Sequence, residues 1–402
     1  MKGMISRREF LKLTAAGAVG LGASPFIAAC VPAATPAPSK PIKVGLLITF
    51  TGPAGLFGPP TKNCADLAIK EINDKGGVLG RSLELVVGDD ATDPQKANEE
   101  MNRLVYQETV DFVIGMHSSA SREAAKPIAG KEKKLYMYTP VYEGGECDQY
   151  IYVLGEVPNQ QLGPVIPFIM QEYGGKSWYL LGNDYNWPRN SNAAAKAFIE
   201  QAGGSIAGEE YVPLGTTEYS AIISRIDSSK AEHLFQTLVG ADGITFQKQF
   251  FDFGLRSKVQ TLTTLFEENS VYALGAEAAR GIRSSFAYFK NLDIPKNQEF
   301  LGNYTATFGK DAPPVTSLSE SVYEALHIFA LGAAKAGSLD VDALLKGLGG
   351  VEFDGPRGKV QLNSTDRHLA QHIYLGEVDD ATEYRIVKDF GLVEPNEACR
   401  VA

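Results

Sequence analysis

The residues best placed to do chemistry lie in a few short polar and aromatic runs. His117-Ser118-Ser119-Ala120-Ser121 follows the apolar stretch Phe112–Gly115 and leads into a helical pattern. Hydroxyls and backbone N–H groups at a helix start can hold a carbonyl, a carboxylate or another anion, or serve as plain N-caps. His117 adds a ring that is either a neutral hydrogen-bond partner or one that changes charge near neutral pH. Tyr138, Thr139 and Tyr142 in one loop, and Tyr185 and Trp187 in another, are an unusually aromatic set for connections. Aromatics in such places favour recognition over core packing. Val239 and Asp242 occupy a further loop, and Asp242, Glu267 and Glu268 are carboxylates that can receive an ammonium or amide N–H or act as helix caps. Arg189 reads as a tie between loops. The expected ligand-binding set is therefore His117, Ser118, Ser119, Tyr138, Thr139, Tyr142, Tyr185, Trp187, Val239, Asp242 and Glu267.

Enzyme signatures are missing. There is no Gly-x-Ser-x-Gly elbow, Walker loop or Gly-x-Gly-x-x-Gly after the first strand, and the cysteines and five histidines show no metal spacing. Asp89-Asp90 with Asp93 could suggest a carboxylate metal site, but Thr92-Asp93-Pro94 reads better as a helix cap with Pro in the first turn. No catalytic residue, cofactor or metal is expected. A net charge of −10 without a long run of either sign argues against a nucleic-acid partner, which needs a clustered basic face.

The elements that must position these loops alternate. Strand Lys43–Thr49, helix Thr61–Asn73, strand Leu83–Val87, helix Pro94–Gln107, strand Phe112–Gly115, helix Ser121–Ala129, and strands Leu135–Tyr138 and Ile151–Leu154 form a first series. After Pro158-Asn159 the pattern restarts with helix Leu162–Tyr173, strand Ser177–Gly182, helix Asn192–Ala202, strand Ile206–Val212, helix Tyr219–Ser228, strand His233–Leu238 and helix Gly243–Phe253. Strands Gln260–Thr263 and Gly281–Tyr288, helices Asn297–Phe308 and Leu318–Ala336, segment Gly355–Ala370, and strands His372–Glu377 and Tyr384–Lys388 complete the chain. Such alternation implies an α/β protein built on doubly wound parallel sheets. About 360 residues after the leader exceed one typical core, so two lobes are expected. Ligands in open α/β sheets bind beyond the carboxyl ends of the strands. That places one cleft among the loops Thr49–Phe57, Met116–Ser121, Tyr138–Glu143, Asp184–Arg189, Val239–Gly243 and Thr263–Asn269.

The first residues carry an address. Ser6-Arg7-Arg8-Glu9-Phe10-Leu11-Lys12 is a twin-arginine export signature, and no charge follows Lys12 until Lys40. The apolar stretch Leu13–Ala29 is broken by Gly17, Gly20, Gly22 and Pro25 and ends in Ile27-Ala28-Ala29-Cys30. It is too short and too broken for a spanning helix, and its ending is a lipobox whose Cys30 is acylated. Residues 1–30 are thus a signal peptide and residues 31–41, nearly all Pro, Ala, Ser and Thr, a tether. Past Cys30 the three cysteines Cys64, Cys147 and Cys399 allow one disulfide with one thiol left over, and no pair is assigned.

Thr51-Gly52-Pro53, Ala65-Asp66-Leu67-Ala68-Ile69 and Glu71-Ile72-Asn73 carry a resemblance, continued by Gly76-Gly77-Val78-Leu79-Gly80-Arg81 and Asp89-Asp90-Ala91-Thr92-Asp93-Pro94. They resemble the opening of solute-binding proteins of the type I periplasmic-binding fold that serve ABC importers of branched-chain amino acids, amides and urea. Tyr142-Glu143-Gly144, Pro158-Asn159-Gln160-Gln161, Asp184-Tyr185 with Pro188-Arg189 and Asn192, and the segment from Gly355-Pro356-Arg357-Gly358 to Gly376-Glu377 resemble the branch that binds urea and short-chain amides. That branch usually has Tyr where this chain has Trp187, and the amide sensor has Tyr in place of His117. Pro140 and Val141 likewise depart from the usual Gln or Thr-Pro pattern. The resemblance spans Ile42 to Lys388. It implies two lobes joined by a three-strand hinge, residues 42–157 plus 290–358 and residues 158–289 plus 359–402, crossing near Gly155–Pro158, Phe289–Ile294 and Gly355–Asn363. It implies a lipid-anchored extracytoplasmic receptor that captures a small polar solute, urea, amide or amino-acid-like, and delivers it to an ABC permease with its ATPase subunits. The alternatives are a ligand-sensing subunit for a signalling partner and an exported enzyme.

Replacing Arg7 and Arg8 together with Lys should leave the precursor in the cytoplasm, with Cys30 unacylated. Cell fractionation and metabolic labelling with a fatty acid check this, and normal export of the double variant would refute the assignment.

Overall fold

The protein is described from a computed structural model covering residues 40–397. Arg7, Arg8, Cys30, Cys399 and residues 31–39 of the tether lie outside the described residues.

Two parallel sheets organise the chain. In the first, β1 (Ile42–Ile48), β2 (Leu83–Asp89), β3 (Phe112–Met116), β4 (Tyr136–Tyr138) and β5 (Ile151–Val153) run in the order β2-β1-β3-β4-β5, every pair parallel. Its central strands are almost wholly buried, as expected of a sheet covered by helices on both faces. In the second, β6 (Ser177–Asn183), β7 (Ser205–Val212), β8 (His233–Thr237), β9 (Gln260–Thr263) and β10 (Arg283–Phe286) run β7-β6-β8-β9-β10, again parallel. The two sheets thus repeat one winding order. Strands β11 (Glu352–Gly355), β12 (Gly358–Leu362), β13 (Leu369–Val378) and β14 (Tyr384–Val393) extend the second sheet in antiparallel fashion, β13 pairing with β10, β12 and β14.

The helices start where local chemistry allows. Helix Gly58–Asp74 begins three residues before Thr61 because Pro59 and Pro60 sit in its first turn, where a missing N–H costs nothing. Asp93 caps helix Pro94–Asn102 by accepting from the Lys96 N–H at 2.8 Å, and a π turn, Arg103–Gln107, carries the chain on. The helix expected at Leu162–Tyr173 starts at Val165, because Pro164 cannot donate to the preceding turn, and a separate short helix, Pro158–Gln161, precedes it. The segment Gly355–Ala370 contributes to a hairpin, and helix Glu268–Leu274 stands where a loop was expected. Gly77 is a required glycine: its φ is +76° and a Cβ there would lie 2.0 Å from the Arg81 carbonyl oxygen.

The chain changes layers three times: it leaves β5 for the second sheet, returns after β10 to pack helices Pro295–Phe308 and Ser317–Ala336 on Gly58–Asp74, and then rejoins the second sheet through β11 and β12. The passages share one buried polar cluster. Glu156, in the first, accepts from the Ala287 N–H of the second at 2.6 Å and from Ser317 Oγ at 3.2 Å. Arg357, at the third, is fully buried; its Nε donates to Glu320 at 2.6 Å and its Nη1 to Gln371 at 2.6 Å, while Glu324 lies 3.1 Å from Nε. Burial raises the pKa of both glutamates against the lowering by Arg357. Gly155 permits the first passage, since a Cβ would stand 1.8 Å from the Pro140 carbonyl oxygen.

Cys147 is held in a disulfide and Cys64 is a free, buried thiol whose pKa burial pushes up. No helix among the described residues is long and apolar enough to cross a membrane.

Arg357→Met should lower unfolding stability by about 3–5 kcal/mol, because it strands Glu320 in the interior without a counter-charge. Urea unfolding checks this. Adding Glu320→Gln and Glu324→Gln to that variant should recover most of the loss.

Candidate ligand-binding site

In both sheets the strand order reverses direction beside the first-formed strand, at β1/β3 and at β6/β8. Crevices at such switch points are where α/β sheets bind ligands. The loops leaving β1, β3 and β4 meet those leaving β6, β8 and β9 around a small cavity of about 40 Å³. Thr49, Ala54, Phe57, Met116, His117, Ser118, Ser119, Tyr138, Pro140 and Val141 line it from the first sheet's side. Tyr185, Trp187, Val239 and Leu265 line it from the second, and Leu318 from helix Ser317–Ala336. Hydrogen bonds close the mouth across the cleft: Asn186 Nδ2 to Glu143 at 2.9 Å, the Ala241 N–H to the Pro53 carbonyl at 3.0 Å, and Asn269 Nδ2 to the Leu56 carbonyl at 3.3 Å.

Seven of the eleven expected residues line this cavity: His117, Ser118, Ser119, Tyr138, Tyr185, Trp187 and Val239. The other four stand behind the walls. Thr139 donates to the Gly115 carbonyl at 3.1 Å. Tyr142 bonds His368, just before β13, and stacks on its ring. Asp242 accepts from Asn183 Nδ2 at 2.7 Å and from the Gly215 N–H at 2.9 Å, and Asn183 in turn accepts from the Val239 N–H at 2.8 Å, so Asp242 shapes the loop without facing the ligand. Glu267 accepts from the Leu318 N–H at 2.8 Å, and burial raises it well above the usual carboxyl range. Neighbouring Glu268 accepts from the Lys290 N–H, and burial lifts it to about 7. Arg189 pairs with Asp184 at 2.7 Å over the Tyr211 ring. Thr49, Ala54, Phe57, Met116 and Leu265 were reachable from the rule that ligands sit at strand carboxyl ends. Leu318 carried no such signal, because it enters from a helix of the third segment.

The hydroxyls of the first sheet's wall share a property. Thr49 Oγ1 donates to buried Asp90 at 2.5 Å. Ser118 Oγ donates to Ser121 Oγ at 3.1 Å, and Ser121 passes its own proton to Asp90 at 2.5 Å. Ser119 Oγ donates to Glu143, and the Tyr138 hydroxyl donates to the His117 carbonyl at 2.7 Å. His117 is neutral because burial lowers its pKa. Its Nδ1 faces the Ser118 carbonyl at 3.1 Å, which can only accept, so Nδ1 carries the hydrogen and Nε2 accepts from Tyr136 at 2.6 Å. Thr49, Ser118, Ser119 and Tyr138 therefore turn their protons into the protein, Ser119 Oγ also accepting from Arg122 Nη1 at 3.4 Å, while both ring nitrogens of His117 are bonded within the protein. Tyr185 and Trp187, whose hydroxyl and Nε1 have no hydrogen-bond partner among the described residues, line the cavity from the other side.

Two lobes of repeated α/β winding that enclose a small, mostly apolar cavity with a few aimed polar groups define a solute receptor. A profile of the periplasmic binding protein family matches residues 41–383, and the chain belongs to that family. It has the type I periplasmic-binding fold of ABC-transporter solute-binding proteins. Leu/Ile/Val-binding protein homolog 6 of Brucella melitensis is 29% identical over 363 residues, covering 88% of this chain and 92% of that protein. The leucine-, isoleucine-, valine-, threonine- and alanine-binding protein of Pseudomonas aeruginosa is 27% identical, with 79% and 85% covered. A solved ABC-transporter solute-binding protein from Rhodopseudomonas palustris HaA2, in complex with p-hydroxybenzoic acid, superposes with a TM-score of 0.81 at 25% identity, covering 88% of this chain and 98% of that one.

Trp187 is nearly fully enclosed and is tilted against Tyr185, ring centroids 6.3 Å apart. Trp187→Ala should weaken binding of the solute recovered from purified protein by about ten- to a hundredfold through lost apolar wall. Calorimetry reads this, and unchanged affinity would make Trp187 packing rather than pocket.

Proposed function

We propose that the chain is the lipid-anchored, twin-arginine-exported binding subunit of an ABC importer for a small neutral carboxamide or urea-type solute with an apolar or flat body. The reading rests on one observation: the polar wall around Ser118, Ser119 and Tyr138 offers lone pairs, while the N–H groups of Ser119 and Ala120 at the start of helix Ser119–Lys131 have no carbonyl of a preceding turn to bond, the Ser121 N–H being held by Ser118 Oγ. A primary amide matches both at once, its carbonyl oxygen accepting from those N–H groups and its NH2 donating to Ser119 Oγ. Phe57, Tyr185 and Trp187 cover a flat or aliphatic body.

The relatives named for branched-chain amino acids, and the neighbour holding p-hydroxybenzoic acid, offer carboxylates as alternatives. A carboxylate would meet Ser119's lone pair with its own. An α-ammonium would be buried with no carboxylate lining the cavity among the described residues, an expensive arrangement without a partner. Departures at His117, Pro140, Val141 and Trp187 alter the wall without restoring a donor there. The lobes, residues 42–157 plus 290–358 and 158–289 plus 359–402, close on the solute by rotation about the three passages, and the closed form is what the permease receives. No turnover accompanies binding.

Calorimetry at pH 7 with isobutyramide, isobutyrate and valine tests the ligand class. Isobutyramide should bind at least about tenfold tighter than either, since one unmade buried hydrogen bond costs about 1–3 kcal/mol. Tighter binding of isobutyrate or valine would overturn it.

A further inference from the structure

Glu143 does not line the cavity, yet it touches three groups that matter there. Its Oε2 takes the proton of Ser119. Its Oε1 accepts from Arg122 Nη2 at 3.0 Å and from Asn186 Nδ2 at 2.9 Å, the second reaching across the cleft. Arg122 is buried behind the wall, its guanidinium over the rings of Tyr138 and Tyr142. Glu123, Glu143 and Glu146 all pair with it, so it presents no free positive charge to the cavity. The polarity of Ser119 is therefore decided by the atom that Glu143 places opposite it.

We propose that Glu143 is the positioning residue that sets ligand polarity: by holding the Ser119 proton it selects a hydrogen-bond-donating solute head and rejects a carboxylate. The inference rests on the amide reading above and deepens it. An isosteric exchange tests the logic atom by atom. In Glu143→Gln the side-chain oxygen must stay at the Oε1 place, because the opposite orientation would set an NH2 against the donors Arg122 and Asn186. The NH2 then occupies the Oε2 place and donates to Ser119 Oγ. Ser119 must turn its hydrogen toward the cavity, and the wall changes from acceptor to donor.

The experiment measures the affinities of isobutyramide and isobutyrate by calorimetry at pH 7 for the wild type, Glu143→Gln, Asn186→Ala and Ser119→Ala, with circular dichroism and thermal unfolding as the check on fold. Glu143→Gln should shift the amide-to-carboxylate preference toward isobutyrate by at least about tenfold. Asn186→Ala removes the cross-cleft bond but not the proton acceptor, so it should weaken both ligands and leave their ratio unchanged. Ser119→Ala should bring the ratio close to parity, and it remains informative where the glutamine variant does not fold. A wild type that prefers isobutyramide, combined with an unchanged ratio in folded Glu143→Gln or in Ser119→Ala, overturns the role of Glu143 and leaves the amide reading standing. A wild type that prefers isobutyrate overturns both.

Discussion

Arg357 is a guanidinium with no solvent contact, placed in the turn between β11 and β12. A buried charge of this kind is tolerable only when its hydrogen bonds are made, and making them draws the neighbouring elements to fixed positions. Glu320 and Glu324 bring helix Ser317–Ala336 and Gln371 brings β13, while Glu156 ties the first passage to the second through the Ala287 N–H. The same helix supplies Ser317 to Glu156 and the Leu318 N–H to Glu267 on the second sheet's side. The cavity's floor and the linkage between the sheets are thus one structure, and any opening of the cleft has to preserve these pairs.

On that frame, the two sheets meet with their switch points face to face, so the ligand wall comes from six strand ends with different duties. The second sheet's side contributes the aromatic cover of Tyr185 and Trp187. The first sheet's side contributes a polar edge whose sense is set one layer back by Asp90, Glu143 and the His117 carbonyl. Membership in a family whose members are named for aliphatic amino acids, with a neighbour that holds an aromatic acid, is compatible with this arrangement, because a shared backbone can present either face of a hydroxyl. The groups behind the wall, rather than the wall's own residue types, carry the ligand's polarity.

Much of this was legible from the chain. Uninterrupted apolar runs such as Val44–Ile48 and Phe112–Met116, spaced by helical patterns, require parallel strands buried on both faces, and the restart after Pro158 requires a second such layer. The carboxyl-end rule selected the loops that surround the cavity, and within them His117, Ser119, Tyr138, Tyr185 and Trp187 line it. Thr139, Tyr142, Asp242 and Glu267 lie in the same loops and point away from it. Loop sequence cannot separate the two groups, because which way a side chain turns depends on partners distant in sequence: His368 for Tyr142, Leu318 for Glu267, Asn183 for Asp242.

Sequence by itself determined the α/β class, the two repeated layers and the family, because these follow from local periodicity and short contiguous motifs. Tertiary structure alone decided that Arg357 is a buried tie, that Leu318 reaches the cavity from a helix more than a hundred residues beyond the second sheet's first loop, and that Ser119 gives its proton to Glu143. Each is a pairing between polar or apolar groups far apart in the chain, and no local pattern encodes the distance at which a hydrogen bond forms.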